Sequence, residues 1–161
     1  MKVRDILKMA DENRFAVAAI DVFDYQSAAW VVKAAEREKM PVLLMFYPDM
    51  SHFIPFTTMA AIAMDLAKNA SVPVGVHLDH GKAYEVAVGG IAAGFPSVMY
   101  DGSAKPYEEN LAVTAAVTKC AHVLGVDVEA ELGTVGQGSR KEDFCNAELY
   151  TRPEQAKDFV E

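Results

Sequence analysis

The stretch VPVGVHLDHGKAYEVAVGGIAAGFPSVMYD, residues 72–101, decides the fold. VPVGVHLDH (72–80) is a short apolar run, AYEVAVGGIAAG (83–94) carries a helical pattern, and PSVMYD (96–101) is apolar again. Strand, helix and strand joined by short connections predict two parallel strands with a helical crossover, since no tight turn can link parallel neighbours. Gly94 follows the helical pattern, where positive φ ends a helix, and Pro73 and Pro96 stand at strand entrances.

The alternation continues on both sides. Upstream lie FAVAAI (15–20), SAAWVVKAAEREK (27–39), PVLLMFY (41–47) and TTMAAIAMDLAKN (57–69); downstream lie PYEENLAVTAAVTKCAHVLG (106–125) and VDVEAEL (126–132). Pro41 and Gly125 repeat the punctuation, and MKVRDILKMADENRF at the amino terminus has a helical rhythm of its own. Thr151-Arg152-Pro153-Glu154 has the spacing of a capping box, so a further helix is expected to begin near Thr151.

An α/β chain of this kind forms either an open doubly wound sheet or a (β/α)₈ TIM barrel. The open sheet usually carries a glycine-rich first turn, and DVFDYQS (21–27) after the first strand has no glycine. The barrel is therefore expected. A complete barrel takes about 250 residues. Residues 1–161 are expected to supply about the first five β/α units of a single barrel domain. FAVAAI and VDVEAEL then become border strands open to pairing, which predicts a homo-oligomer.

Composition narrows the partners. A formal net charge of −8 argues against nucleic acid or an anionic membrane surface, both of which need clustered Lys and Arg. Cys120 and Cys145 are too few for a disulfide scaffold and lack C-x-x-C spacing. With no export signal and no membrane span in these residues, a cytoplasmic protein is expected.

In a barrel the carboxyl ends of the strands open onto one mouth, which holds the active site. The third strand delivers Asp79 and His80 there, the fourth Asp101, and the fifth Glu129 and Glu131. Imidazole with carboxylates is a suitable shell for Zn²⁺, and a catalytic zinc keeps one position open. Side chains alternate along a strand, so Asp79 and His80 face different ways unless the strand bends, and different tasks are expected of them. His77, His52 and His122 read as structural histidines. The segment LGTVGQGSRKEDFCNAELYT (132–151) has three glycines, at 133, 136 and 138, and reads as a loop able to fold over a ligand.

The segment HLDHGKAYEVAVGGIAAGFPSVMYDGSAKPYEENLAVTAAVTKCAHVLGVDVEAELGTVG, with H-x-D-H-G, DGS and E-A-E-L-G in order, closely resembles the class II, zinc-dependent ketose-bisphosphate aldolases, the group with fructose- and tagatose-bisphosphate aldolases. The resemblance runs over essentially the whole chain. It implies a (β/α)₈ barrel and retro-aldol cleavage of a phosphorylated ketose to dihydroxyacetone phosphate and an aldehyde. It also implies His80 as a zinc ligand and Asp79 as the acid protonating the aldehyde-side oxygen. Asp101 and Glu131 would form a second, more buried position for the zinc.

By the same resemblance a loop glutamate handles the proton at the carbanion carbon. Glu142 takes that place if GQGSRKED contains a local insertion, and Ser139 falls there if the alignment is ungapped. Two substrate-facing positions depart from the family pattern: Asp21 stands where Asn is usual, and Tyr47 where a phosphate-contacting Ser is usual. The family's other two zinc histidines come from the second half of its barrel, which implies weak zinc binding and little activity for these 161 residues alone. The alternative is a non-catalytic sugar-phosphate or metal-binding paralogue.

Overall fold

The computed structural model describes residues 1–133 and 150–160. The elements run α1 (Val3–Asn13), β1 (Ala18–Asp21), α2 (Tyr25–Glu38), β2 (Val42–Phe46), a 3₁₀ helix (Pro48–His52), α3 (Phe56–Asn69) and β3 (Val74–Gly81). They continue with α4 (Tyr84–Ala93), β4 (Ser97–Tyr100), α5 (Tyr107–Val123), β5 (Asp127–Ala130) and α6 (Pro153–Val160). Every strand and helix read from periodicity is present; the 3₁₀ helix is the addition.

The ends of the elements have local causes. The FAVAAI run becomes a strand only from Ala18, because Phe15 still closes α1: its amide donates to Ala10 at 3.0 Å while Arg14 sits at φ 57°. At the start of α2, the Asp24 carboxylate accepts from the Ser27 amide at 2.7 Å, and the Ser27 hydroxyl accepts from the Asp24 amide at 3.1 Å. This reciprocal cap satisfies donors a helix start leaves open. Near α6, the Thr151 hydroxyl donates to the Leu132 carbonyl at 2.7 Å and tethers that helix to the end of β5.

The five strands pair in the order β1-β2-β3-β4-β5, all parallel. A doubly wound sheet would reverse direction at a switch point and carry helices on both faces. Here Val42, Leu44 and Phe46 of β2, Val74, Val76 and Leu78 of β3, and Val98 and Tyr100 of β4 share one core with α2, α3, α4 and α5. Four crossover helices on one face and strictly sequential strands are the winding of a barrel wall.

The opposite face is treated differently. Val3 and Ile6 of α1 pack on Leu43 there. A Cβ on Gly75 would lie 2.5 Å from the Leu43 side chain, 3.2 Å from Val3 and 3.3 Å from Ile6, so the missing side chain makes room for Leu43 and the helix packed on it. Arg4 pairs with Asp127 at the start of β5, anchoring α1 beneath the far strand as well. The helix thus covers the amino-terminal end of this face and leaves the carboxyl ends of the strands open. All four residues of β1 are exposed, as expected for a border strand.

Candidate metal and catalytic site

The site is built on an irregularity in β3. Leu78 pairs with Val98, but Gly81 pairs with Tyr100, so β3 spends one more residue than β4 over the same span. This is a β-bulge, and His80 within it has φ 41°. A non-glycine residue in this region costs about 1–2 kcal/mol, a strain that clusters at functional sites. The extra residue cancels the alternation, and both Asp79 and His80 reach the carboxyl end of the sheet. The strand bends where the sequence left two directions open.

Gly81 makes the close approach possible. A Cβ there would lie 2.7 Å from the Met99 carbonyl oxygen, a backbone atom that cannot rotate away. The Gly81 carbonyl accepts from the Asp101 amide at 2.9 Å, which fixes the start of the loop after β4.

His80 is the hub. Its Nδ1 lies 3.0 Å from Asp101 Oδ2 and 3.6 Å from Glu131 Oε2, and its Nε2 lies 3.9 Å from Asp79 Oδ1. The ligand-capable atoms of His80, Asp101 and Glu131 all fall within 4.8 Å of one another. Ser103 holds the other oxygen of Asp101, donating from its amide at 3.1 Å and its hydroxyl at 2.6 Å. Asp79 is buried, at 6% exposure.

Electrostatics separate the carboxyl groups. Burial raises the pKa of Asp79, and the charges of Asp21 and Asp101 add to it against the pull of His80. Burial and then Asp101 raise Glu131. Burial also acts to raise Asp101, but the Ser103 bonds and His80 outweigh it and hold Asp101 below the usual range. For His80, burial favours the neutral ring, yet the Asp101 bond and the surrounding carboxylates prevail and raise it. Crowded negative charge around one imidazole suits a divalent cation.

Asp21 and Tyr47 arrive at the same rim. Burial raises the pKa of Asp21, offset by His80. The Tyr47 ring lies 6.5 Å from the His80 ring, edge on, and its hydroxyl accepts from Lys82 Nζ at 3.0 Å. Lys82 and Ser103 were not singled out from sequence, although Ser103 belongs to the DGS motif. Glu142 and its alternative Ser139 lie outside the described residues.

His77 is buried lower on the same face. Its Nδ1 contacts Ser97 Oγ at 2.7 Å; Nε2 makes no hydrogen bond, with Glu129 Oε2 3.5 Å away. Glu129 therefore faces this side of the sheet rather than the helix layer. Burial, then His80, push His77 down from 6.5 to about 4. The unfolded chain binds this proton more readily, so the associated stability is intact above pH 6.5 and is lost as pH falls toward 4. Between pH 7 and pH 4.5 the loss from this group is expected to be about 2–3 kcal/mol. Urea midpoints at the two pH values test it: His77→Asn is expected to lose less stability on acidification than the parent, and an equal loss rules it out.

Residues 1–161 match the family model described as "Fructose-bisphosphate aldolase class-II". A Staphylococcus aureus protein named "Fructose-bisphosphate aldolase" is 35% identical over 164 aligned residues, covering 100% of this chain and 57% of that protein. Among solved structures, the YdjI aldolase from Escherichia coli K12 superposes with a TM-score of 0.84 at 34% identity, over 99% of this chain and 59% of that one. The fructose-bisphosphate aldolase from Campylobacter jejuni superposes with a TM-score of 0.83 at 28% identity, over 98% and 52%. The chain thus spans somewhat over half the length of the proteins it matches, and its sheet corresponds to the first units of a TIM barrel. With all of residues 1–161 matched by the family model, this chain belongs to the class II fructose-bisphosphate aldolases.

Proposed function

We infer that this chain forms the metal-binding and proton-transfer side of a zinc-dependent lyase that cleaves a ketose 1,6-bisphosphate, of fructose or tagatose type, to dihydroxyacetone phosphate and an aldehyde. The observation that supports it is the convergence of three successive strand ends, with His80, Asp101 and Glu131 within 4.8 Å beside buried Asp79. Residues 1–161 act as part of a single barrel domain. No helix among the described residues is long and apolar enough to cross a membrane, and we assign the enzyme to the cytoplasm.

His80 holds the ion through a ring nitrogen, and Asp101 and Glu131 provide a second set of ligands for it. When bound, zinc supplies Lewis-acid stabilisation of the negative charge that develops as the carbon–carbon bond breaks. Asp79, whose raised pKa makes its carboxylate a stronger proton acceptor, takes the proton of the aldehyde-side hydroxyl as the carbon–carbon bond breaks and returns it in the reverse direction. Glu142, outside the described residues, serves the carbanion carbon. Asp21 and Tyr47 line the substrate rim, where the Tyr47–Lys82 contact replaces the small hydroxyl expected of the family and alters the room for substrate.

A coupled triose-phosphate assay with added zinc tests this on two polypeptides. The 161-residue chain alone is expected to show little turnover and weak zinc binding, because among its described residues the metal-capable group contains a single histidine. Joined to the remaining strands of a barrel, it is expected to show zinc-dependent turnover that a chelator removes. Absence of turnover there, with sugar phosphate still bound, favours the non-catalytic paralogue.

A further inference from the structure

Asn110 lies in the first part of α5, away from the carboxylate cluster, and its side chain is 2% exposed. Its Nδ2 donates to the main-chain carbonyl of Glu131 at 2.8 Å. Its Oδ1 accepts from the Thr114 hydroxyl at 3.2 Å, one turn further along the helix. On another side it packs against Gly102, where an added Cβ would collide with Asn110 Oδ1. One buried amide therefore touches the residue after Asp101 and the backbone of Glu131.

Those two contacts fall just past the last paired residues of β4 and β5, Tyr100 and Ala130. β4 ends at Tyr100 and β5 at Ala130, so Asp101 and Glu131 each stand one residue beyond a strand end. One backbone bond, from the Asp101 amide to the Gly81 carbonyl, ties Asp101 to β3, while the Glu131 carbonyl is taken by Asn110 of α5. A buried amide with donor and acceptor both engaged is held in one orientation: the Glu131 carbonyl only accepts and so takes Nδ2, which leaves Oδ1 to the Thr114 hydroxyl.

We propose that Asn110 is a positioning residue that clamps the Asp101–Gly102 segment to the Glu131 backbone and so sets the spacing of the two carboxylates facing His80. Its effect on metal rests on the functional reading above; the clamp itself is a matter of geometry. Asn110 contacts neither carboxylate and acts only through the backbone that carries them.

Asn110→Asp keeps the shape and the acceptor for Thr114 but replaces the donor to Glu131 with an oxygen. Thr114→Val leaves Asn110 in place and removes the hydroxyl that engages its oxygen. Both are made in the 161-residue chain and read in two ways: Co²⁺ titration followed by visible absorption, and amide ¹H–¹⁵N spectra without metal. Asn110→Asp is expected to weaken Co²⁺ binding about tenfold or more, with altered absorption bands, and Thr114→Val to act less strongly in the same direction. In the metal-free spectra the amides of both Ser103 and Leu132 are expected to move while those of β1 and β2 stay.

A folded Asn110→Asp chain whose Co²⁺ affinity stays within about twofold of the parent overturns the proposal, as do amide changes confined to one of the two segments. If Asn110→Asp does not fold, Thr114→Val is judged by the same two measurements. A parent chain that binds Co²⁺ too weakly to titrate agrees with the weak binding expected of it, and the clamp then stands or falls on the amide spectra alone.

Discussion

Replacement of His80 by alanine is expected to weaken divalent-metal binding by more than about 100-fold, beyond the range typical of changes to outer partners. Asp101 and Glu131 both approach this ring, at 3.0 and 3.6 Å, and no other histidine joins their metal-capable group among the described residues. Without the ring, crowded carboxylates remain with no nitrogen donor, and they gain protons rather than hold zinc. Co²⁺ titration of parent and variant measures the change. A loss smaller than about tenfold means that the ion sits elsewhere or is held by other groups.

The same substitution carries a pH signature in the metal-free protein. His80 is raised above 6.5 by its carboxylate neighbours, so the stability it adds is fully present below 6.5 and disappears as pH rises through the raised value. His80→Ala is accordingly expected to cost stability at mildly acidic pH and little at alkaline pH. The half-exposed ring makes the effect modest. A difference that grows with pH contradicts the pairing.

Asp79→Ala is expected to separate proton transfer from metal binding. A positioned acid or base contributes about 10²–10⁴-fold to rate, so kcat should fall by that factor in a polypeptide where this chain is joined to the remaining barrel strands. Zinc content should hold, because Asp79 stands 3.9 Å from His80 and outside the group of mutually close ligand atoms. Parallel measurement of kcat and bound zinc decides the role. Equal loss of both would make Asp79 a ligand, and unchanged kcat would remove it from the mechanism. Asp79→Asn, which keeps the size but cannot exchange the proton, should resemble alanine.

Much of the site was legible because strand ends can be read locally. His80, Asp101 and Glu131 each follow an apolar run, and a barrel brings such ends together. The mutual orientation of Asp79 and His80 was not legible. Alternation assigns adjacent residues to opposite faces, and only the unequal pairing of β3 with β4 shows that a bulge turns both to the mouth. Ser103 could have been found from its place two residues after Asp101, where a hydroxyl often returns to a carboxylate. Asn110 could not, since a lone Asn within a helix carries no sign of the strand end it will meet.

The amino-acid sequence by itself determined the order of strands and helices, their parallel winding and the residues standing at the strand ends, because hydrophobic period and turn chemistry act over a few neighbouring residues. The tertiary structure alone decided the distances: the bulge at His80, the approach of β3 to β4 at Gly81 and the amide of Asn110 between two strand ends. Such distances depend on register between segments far apart in the chain, where a slip of one residue turns every side chain to the other face.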